Sequence, residues 1–339
     1  MLLEKKHEKL TSVEITSIWQ SYMNDSAINC KFHHFLEVVE DKEIKSLLQK
    51  SLDLGKGNLR TLEEILRKEE YPIPYGFSVE KDVSLSAPKL FSDIYVLHYL
   101  HSATQIALQG YTVNLALAVR ADIYSYFHEC ITQLTNLMRR IKEVLLRKGL
   151  YSRSPYLPIP NSVDFVKKQS FLNGFLGDKR PLTGPEITHL YSNYQRNELG
   201  IVTMIGFSQV AQSKEVTKFL LRGKEMAKNH CKVLGDILTK EELPLPSSLD
   251  AEVTDSTAYT FSDKLMMFYA TALIGLSIGY YGTAMGMSSR RDIGLTYIQL
   301  TKEILAYAED GANILIENGW LEQPPMALNR NKLAHQNGE

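Results

Sequence analysis

LTSVEIT at residues 10–16 returns as LTGPEIT at residues 182–188, and this repetition decides the fold. The offset of 172 residues holds without a gap as far as KEEYPIP at 68–74 and KEELPLP at 240–246. An ungapped match over this length is far above chance and indicates an internal repeat. The chain is therefore predicted to contain two copies of one domain.

The repeat continues downstream with a slightly shorter offset. FSD at 91–93 matches FSD at 261–263 at an offset of 170. The two lost positions fall between this match and the Pro-x-Pro segments, where a loop absorbs a deletion. The predicted divisions are a first copy, a Pro-containing linker, a second copy and a C-terminal tail, at residues 1–150, 151–181, 182–325 and 326–339, respectively.

Each copy carries the signals of four long helices. Thr11 with Glu14, and Thr183 with Glu186, have the spacing of a capping box. Apolar residues at three- and four-residue spacing follow each box, as expected for an amphipathic helix. Further N-cap residues and terminal glycines delimit the other helices: Asp41, Ser92, Gly149, Ser213, Ser262 and Gly319. No segment alternates with period two for long enough to form a strand, so the predicted fold class is all-α.

The lengths of the connections predict the topology. Helices one and two are separated by only a few residues, and so are helices three and four, so each pair is antiparallel. About 20 residues, 71–90, separate helix two from helix three, which is enough extended chain to run the length of the bundle. One long crossover between two hairpins is the ferritin-like arrangement. We therefore predict two tandem ferritin-like four-helix bundles.

The third helix of each copy is nearly free of charge. Residues 265–289 contain no charged side chain, and residues 94–119 contain none apart from His98 and His101. The length suffices for a membrane span, but Tyr, Thr, Ser and Gly dilute both runs. A helix that is apolar all round in a soluble protein is buried on every side. We expect both helices at the contact between the copies, and no membrane span.

Composition limits the classes of function. The 38 Lys and Arg balance 39 Asp and Glu, which excludes a nucleic-acid binder that works by bulk charge. Cys30, Cys130 and Cys231 are too few and too scattered for a disulfide framework or a zinc ribbon, and are typical of reduced thiols. Charged residues 4–6 leave no apolar run for a signal peptide. A cytoplasmic protein is expected.

Several longer stretches resemble one bacterial family. VDFVKKQSFL at 163–172, KRPL at 179–182, FSDKLMMF at 261–268 and GWLEQPP at 319–325 resemble the family catalogued as domain of unknown function 3231. The resemblance implies a protein of spore-forming bacilli, similar to ferritin-like bundles and spore-coat proteins, without an established activity. We predict a non-enzymatic structural or interaction protein, cytoplasmic or spore-associated, whose partners are further copies of itself or other spore or cell proteins.

A ferritin-like di-metal site requires a Glu-x-x-His sequence on each of two helices and one Glu from each of the other two. Neither the second nor the fourth helix of either copy contains Glu-x-x-His. The spacing occurs at Glu4 and His7, ahead of the first cap, and at Glu186 and His189, where Glu186 is a capping residue. No cofactor is therefore expected from this motif.

A mononuclear metal site in the second copy is the alternative prediction. Glu198, His230 and Glu303 fall towards the middle of helices one, two and four of that copy. Three such ligands suit one iron, manganese or zinc ion with an open position. The counterparts in the first copy are Ser26, Asn58 and Gln133, so no equivalent site is expected there.

The bundle core offers a third function. An apolar pocket between the helices would bind a small ligand, with Tyr269, Tyr280 and Tyr281 as its polar groups. The structural, metal-binding and ligand-binding alternatives stay open at the level of sequence.

Overall fold

The computed structural model of the chain describes residues 8–175, 179–249, 251–331 and 333. Three features of the sequence analysis lie outside these residues: the N-terminal segment where no signal peptide is expected, the Glu4–His7 spacing, and the end of the C-terminal tail. Within them, every long element is an α-helix, and pairing of extended chain is limited to isolated bridges. The predicted all-α class is confirmed.

The two copies contain the same helices in the same order. The first copy comprises α1 (Ser12–Val38), α2 (Lys42–Lys68), the single turn α3 (Val79–Asp82), α4 (Asp93–Leu117) and α5 (Ala121–Arg147). The second copy comprises α6 (Gly184–Val210), α7 (Lys214–Lys240), α8 (Asp263–Met287) and α9 (Arg291–Glu317). A 3₁₀ turn at Gln169–Leu172 lies between the copies.

The capping residues and terminal glycines predicted from the sequence lie at the observed ends of the helices. The Glu14 carboxylate accepts from the Thr11 backbone N–H at 2.9 Å, while the Thr11 hydroxyl accepts from the Glu14 N–H at 3.3 Å. Glu186 and Thr183 form the same capping box in the second copy. Gly149 and Gly319 follow α5 and α9 with φ of 68° and 67°, the left-handed conformation that ends a helix.

Each copy is a four-helix bundle with one long crossover. In the first copy α1 packs on α2 and α4, and α5 packs on α4 and α2. The Ser17 hydroxyl near the start of α1 donates to Asn114 near the end of α4 at 3.1 Å, so these helices are antiparallel. Residues 71–90 carry the chain from the end of α2 to the start of α4, as predicted.

The crossover of each copy pairs with the other copy. Val83 of the first crossover forms an antiparallel bridge with Phe261, and Phe91 forms the matching bridge with Val253 of the second crossover. The N-cap hydroxyl of Ser262 donates to Asp82 at 2.7 Å. At an offset of 170, Ser92 donates to Glu252 in the same way. The copies are therefore related by an approximate two-fold axis, as in a symmetric dimer.

One apolar core continues across this axis. The Phe91 ring packs against Phe207 with ring centroids 6.3 Å apart, and Phe261 packs against the same ring at 5.9 Å. Phe261 also meets the buried His34 ring at 5.3 Å. Residues of both copies thus form a single cluster of buried apolar side chains.

The prediction that α4 and α8 are buried on every side is wrong. Their N-terminal turns are buried at the contact between the copies, where Tyr95 and Leu265 are inaccessible to solvent. Towards their C-terminal ends both helices flank a cavity and reach solvent. Among the described helices only α8 is long and apolar enough to cross a membrane, with a mean hydropathy of 1.3 over its most apolar window, of which 33% is buried.

Candidate functional site

A cavity of about 440 Å³ lies between the two copies. Residues of α1 and α4 line it from the first copy, and residues of α6, α7, α8 and α9 line it from the second. The Tyr280 hydroxyl on α8 donates to Gln109 on α4 at 2.7 Å and joins the two nearly uncharged helices. The volume falls within the range of about 300–1,000 Å³ found for small-molecule pockets.

The cavity runs along part of α1. Gln20 and Lys31 both line it, and their separation of eleven positions corresponds to a helix rise of about 17 Å. Gln20 is exposed, whereas Lys31 is completely buried. The wall between them includes the apolar side chains of Ile28, Ala103 and Leu273. The cavity thus has a polar mouth, a mainly apolar middle that also includes Asp25, and a closed end that contains an amine.

The Lys31 amine at the closed end has no polar partner. Its Nζ atom lacks a hydrogen-bond partner in the described part of the chain. It lies 3.7 Å from the ring centroid of Tyr99 and 4.4 Å from that of Tyr269. Phe207 and Phe35 complete the aromatic surroundings at 5.1 and 5.6 Å. Burial lowers the pKa of Lys31 well below its usual value, because the charged form loses its hydration.

A second cation, Arg196 on α6, lines the cavity nearer the mouth. Its guanidinium lies 3.7 Å from the ring centroid of Tyr280 and donates to the Asn193 side-chain oxygen at 3.3 Å. No described carboxylate forms an ion pair with it. Burial lowers the pKa of Arg196, although Tyr280 partly opposes this effect.

A buried hydrogen-bond network lies in the first copy beside the cavity. The Tyr111 hydroxyl donates to the Asp25 carboxylate, with oxygen–oxygen distances of 3.2 and 3.3 Å. The Asn58 amide donates to the same hydroxyl at 3.4 Å. Burial raises the pKa of Asp25 to about 7, because the hydrogen bonds from Asn58 and Tyr111 only partly stabilise the carboxylate.

The second copy contains a matching network. The Asn197 amide donates to the Tyr281 hydroxyl at 2.8 Å, and that hydroxyl lies 3.0 Å from His230 Nδ1. His230 Nε2 lies 3.2 Å from a Glu303 carboxylate oxygen. In the consistent assignment, Tyr281 donates to Nδ1 and Nε2–H donates to Glu303. Burial lowers the pKa of His230 and outweighs the opposing effect of Glu303, which favours the neutral imidazole.

The two networks occupy equivalent positions. Offsets of 172 and 170 relate Asp25 to Asn197, Asn58 to His230, and Tyr111 to Tyr281. The sequence prediction missed the network of the first copy because it rested on metal-ligand residue types. The first-copy counterparts of the three predicted ligands are Ser26, Asn58 and Gln133, and this set does not suit a metal ion. Applying the offset to Tyr281 identifies Tyr111.

The comparison with protein families agrees with the duplicated fold. The model of the family described as protein of unknown function, DUF3231, matches residues 1–163 and again residues 170–333. The chain belongs to this family. No curated protein matches it. A solved structure, described as a candidate spore coat protein of Bacillus halodurans, is similar over 44% of this chain and 98% of its own, at 16% identity and a TM-score of 0.41.

In this DUF3231 protein, two of the three predicted metal ligands come together. His230 contacts Glu303, but Glu198 forms no hydrogen bond or ion pair with either. Its buried Oε2 atom has no partner in the part of the chain that the structure describes. Among the described residues, no group of three or more His, Cys, Asp or Glu side chains is placed to hold a metal ion. The iron, manganese or zinc site stays a prediction.

The three tyrosines predicted to serve a ligand pocket divide between two places. Tyr269 lines the closed end of the cavity beside Lys31, and Tyr280 lines the mouth beside Arg196. Tyr281 instead belongs to the network with His230. The residues that sequence reasoning missed are Lys31 and Arg196, because nothing in the local pattern distinguishes them from solvated charges.

Proposed function

We propose that this DUF3231 protein is a non-enzymatic binding protein that holds one small amphipathic molecule between its two copies. The observation that carries the proposal is the cavity of about 440 Å³, with its apolar middle and its polar groups at both ends. Protein interiors are close-packed and leave few voids larger than a water molecule. A cavity of this size between the two copies is therefore best explained by an occupant.

The duplication supports this function. Both copies contribute to the cavity walls, so neither copy forms the site alone. The bonds between each crossover and the opposite copy hold the walls in place. A structural or interaction role with further copies or with other spore or cell proteins stays a separate prediction, which analytical ultracentrifugation tests independently of any ligand.

A cavity-filling variant tests the proposal. Gly200 on α6 lines the cavity, and a Cβ atom added there meets nothing within 4 Å. We expect Gly200→Phe to fold as stably as the wild type and to lose binding of Nile red, an uncharged apolar dye. We also expect native mass spectrometry of gently purified wild-type protein to reveal a co-purified molecule that this variant lacks.

Gly279 provides the matched control. It is an exposed helical glycine on α8, outside the cavity, and also has free space around its Cβ position. We expect Gly279→Phe to bind Nile red like the wild type. Equal dye binding by the wild type and Gly200→Phe, measured by fluorescence titration, would show that the cavity is not the binding site.

A further inference from the structure

The closed end of the cavity contains an amine that the described part of the protein leaves without a counter-charge. Lysine is almost never fully buried unless it is paired, yet Lys31 is 0% exposed and its Nζ has no polar partner in the described ranges. Lys31 is also part of the cavity wall, so its side chain adjoins whatever occupies that space.

The aromatic rings around Lys31 compensate for only part of the cost of burying it. A cation–π contact stabilises a desolvated ammonium, and Tyr99 and Tyr269 provide the two shortest such contacts. Removing an ammonium from water carries a large desolvation penalty even after the protein has relaxed. An acidic group in the cavity would supply the remaining stabilisation as an ion pair.

Helix packing by itself does not require a lysine at this position. The counterpart of Lys31 in the second copy is Thr203. Its hydroxyl forms a hydrogen bond of 2.8 Å with the Tyr95 hydroxyl. The same place in the bundle is therefore filled by a small, satisfied polar residue in one copy and by an unpaired amine in the other. This difference indicates a role for the amine in the cavity.

This inference rests on the proposed function and names the chemistry of the ligand. We infer that the cavity binds an amphiphile with one acidic head group, which lies against Lys31 while the apolar body runs along Ile28, Ala103 and Leu273 to the mouth. The order of the lining residues along α1 places the amine at the closed end and the exposed polar residues at the other. In the opposite orientation the acidic head group would lie against Arg196 near the mouth, and the test distinguishes the two orientations.

The test compares decanoic acid with decanol and decanamide on the full chain by displacement of Nile red. We expect the wild type to bind the acid at least about tenfold more tightly than the alcohol or amide. Lys31→Met should bind all three with the affinity that the wild type has for the alcohol. This variant should also unfold at a temperature no lower than the wild type, because an apolar side chain of similar length replaces an unpaired amine.

Arg196→Gln is the matched variant at the mouth, and we expect it to keep the preference for the acid. Loss of that preference in Arg196→Gln but not in Lys31→Met would overturn the assignment to Lys31. Equal binding of acid, alcohol and amide by the wild type would refute the acidic head group and leave the binding function intact. Failure of Nile red and all three decyl compounds to bind would refute the proposed function itself.

Discussion

At the scale of single residues, Asp25 shows how burial controls a charge. Asp25 is 9% exposed, and its carboxylate accepts a hydrogen bond from the Tyr111 hydroxyl. Burial raises the pKa of this carboxyl from 3.8 to about 7. The folded protein therefore binds a proton more tightly at this site than the unfolded chain does. The stabilisation from Asp25 is fully present below pH 4 and is lost as the pH rises to about 7.

We expect Asp25→Asn to lack this pH dependence. Because one pKa unit corresponds to about 1.4 kcal/mol, the variant should gain at least about 2 kcal/mol of unfolding free energy relative to the wild type between pH 4 and pH 8. Urea unfolding at a series of pH values measures this difference. Parallel pH profiles for the two proteins would contradict the assignment of a raised pKa to Asp25.

At the scale of helices, Glu186 does more than cap α6. Its carboxylate accepts from Arg180 through two N–H groups at 2.8 Å each, and from the Arg290 backbone N–H at 2.9 Å. Burial raises the pKa of Glu186, but these bonds and those from Thr183 outweigh burial and hold the pKa at about 2. The start of α6 is thereby tied to the turn between α8 and α9.

We expect Glu186→Gln to destabilise the protein by about 2 to 3 kcal/mol at pH 7. The lowered pKa means that the carboxylate stabilises the fold above pH 4.5 and loses this effect as the pH falls to 2, so the difference from the wild type should shrink over that interval.

Glu14→Gln in the first copy is the control. Glu14 bonds to Thr11, Val119 and Arg120 only through backbone N–H groups and one hydroxyl, without an arginine side chain. Its substitution should cost less. An equal or larger loss for Glu14→Gln, measured by urea unfolding, would argue against the role of Arg180.

At the scale of the whole molecule, the shared core makes the two copies one folding unit. A Cβ atom added to Gly206 on α6 would lie 2.4 Å from two atoms of the Phe91 ring in the other copy. We expect Gly206→Ala to destabilise the protein by about 1 to 3 kcal/mol through this overpacking. Calorimetry should record a single unfolding transition that moves to lower temperature as a whole.

Gly200→Ala, six positions earlier on the same helix, provides the comparison. Its Cβ position is open, so the better helix propensity of alanine should stabilise the protein by up to about 1 kcal/mol. Two separate calorimetric transitions, of which Gly206→Ala moves only one, would mean that the copies unfold independently.

The features that the sequence by itself determined are those set by local chemistry. The capping boxes at Thr11 and Thr183 and the glycines after α5 and α9 act within one turn of helix, so the helix ends follow from neighbouring residues. The repeat and the length of residues 71–90 then determine the duplication and the crossover. The buried third helices were predicted wrongly because a lack of charge does not reveal which surfaces a helix contacts.

Only the tertiary structure decided what lies between the copies. The pairing of each crossover with the other copy at Val83 and Phe91, and the contacts of Lys31 with Tyr99 and Tyr269, join residues more than 60 positions apart in the chain. The cavity likewise needs residues of both copies. Lys31 looks like any helical lysine in the sequence, and it differs from a solvated one because aromatic rings of both copies cover it. Long-range packing sets burial, and burial determines the charge and chemistry of this site.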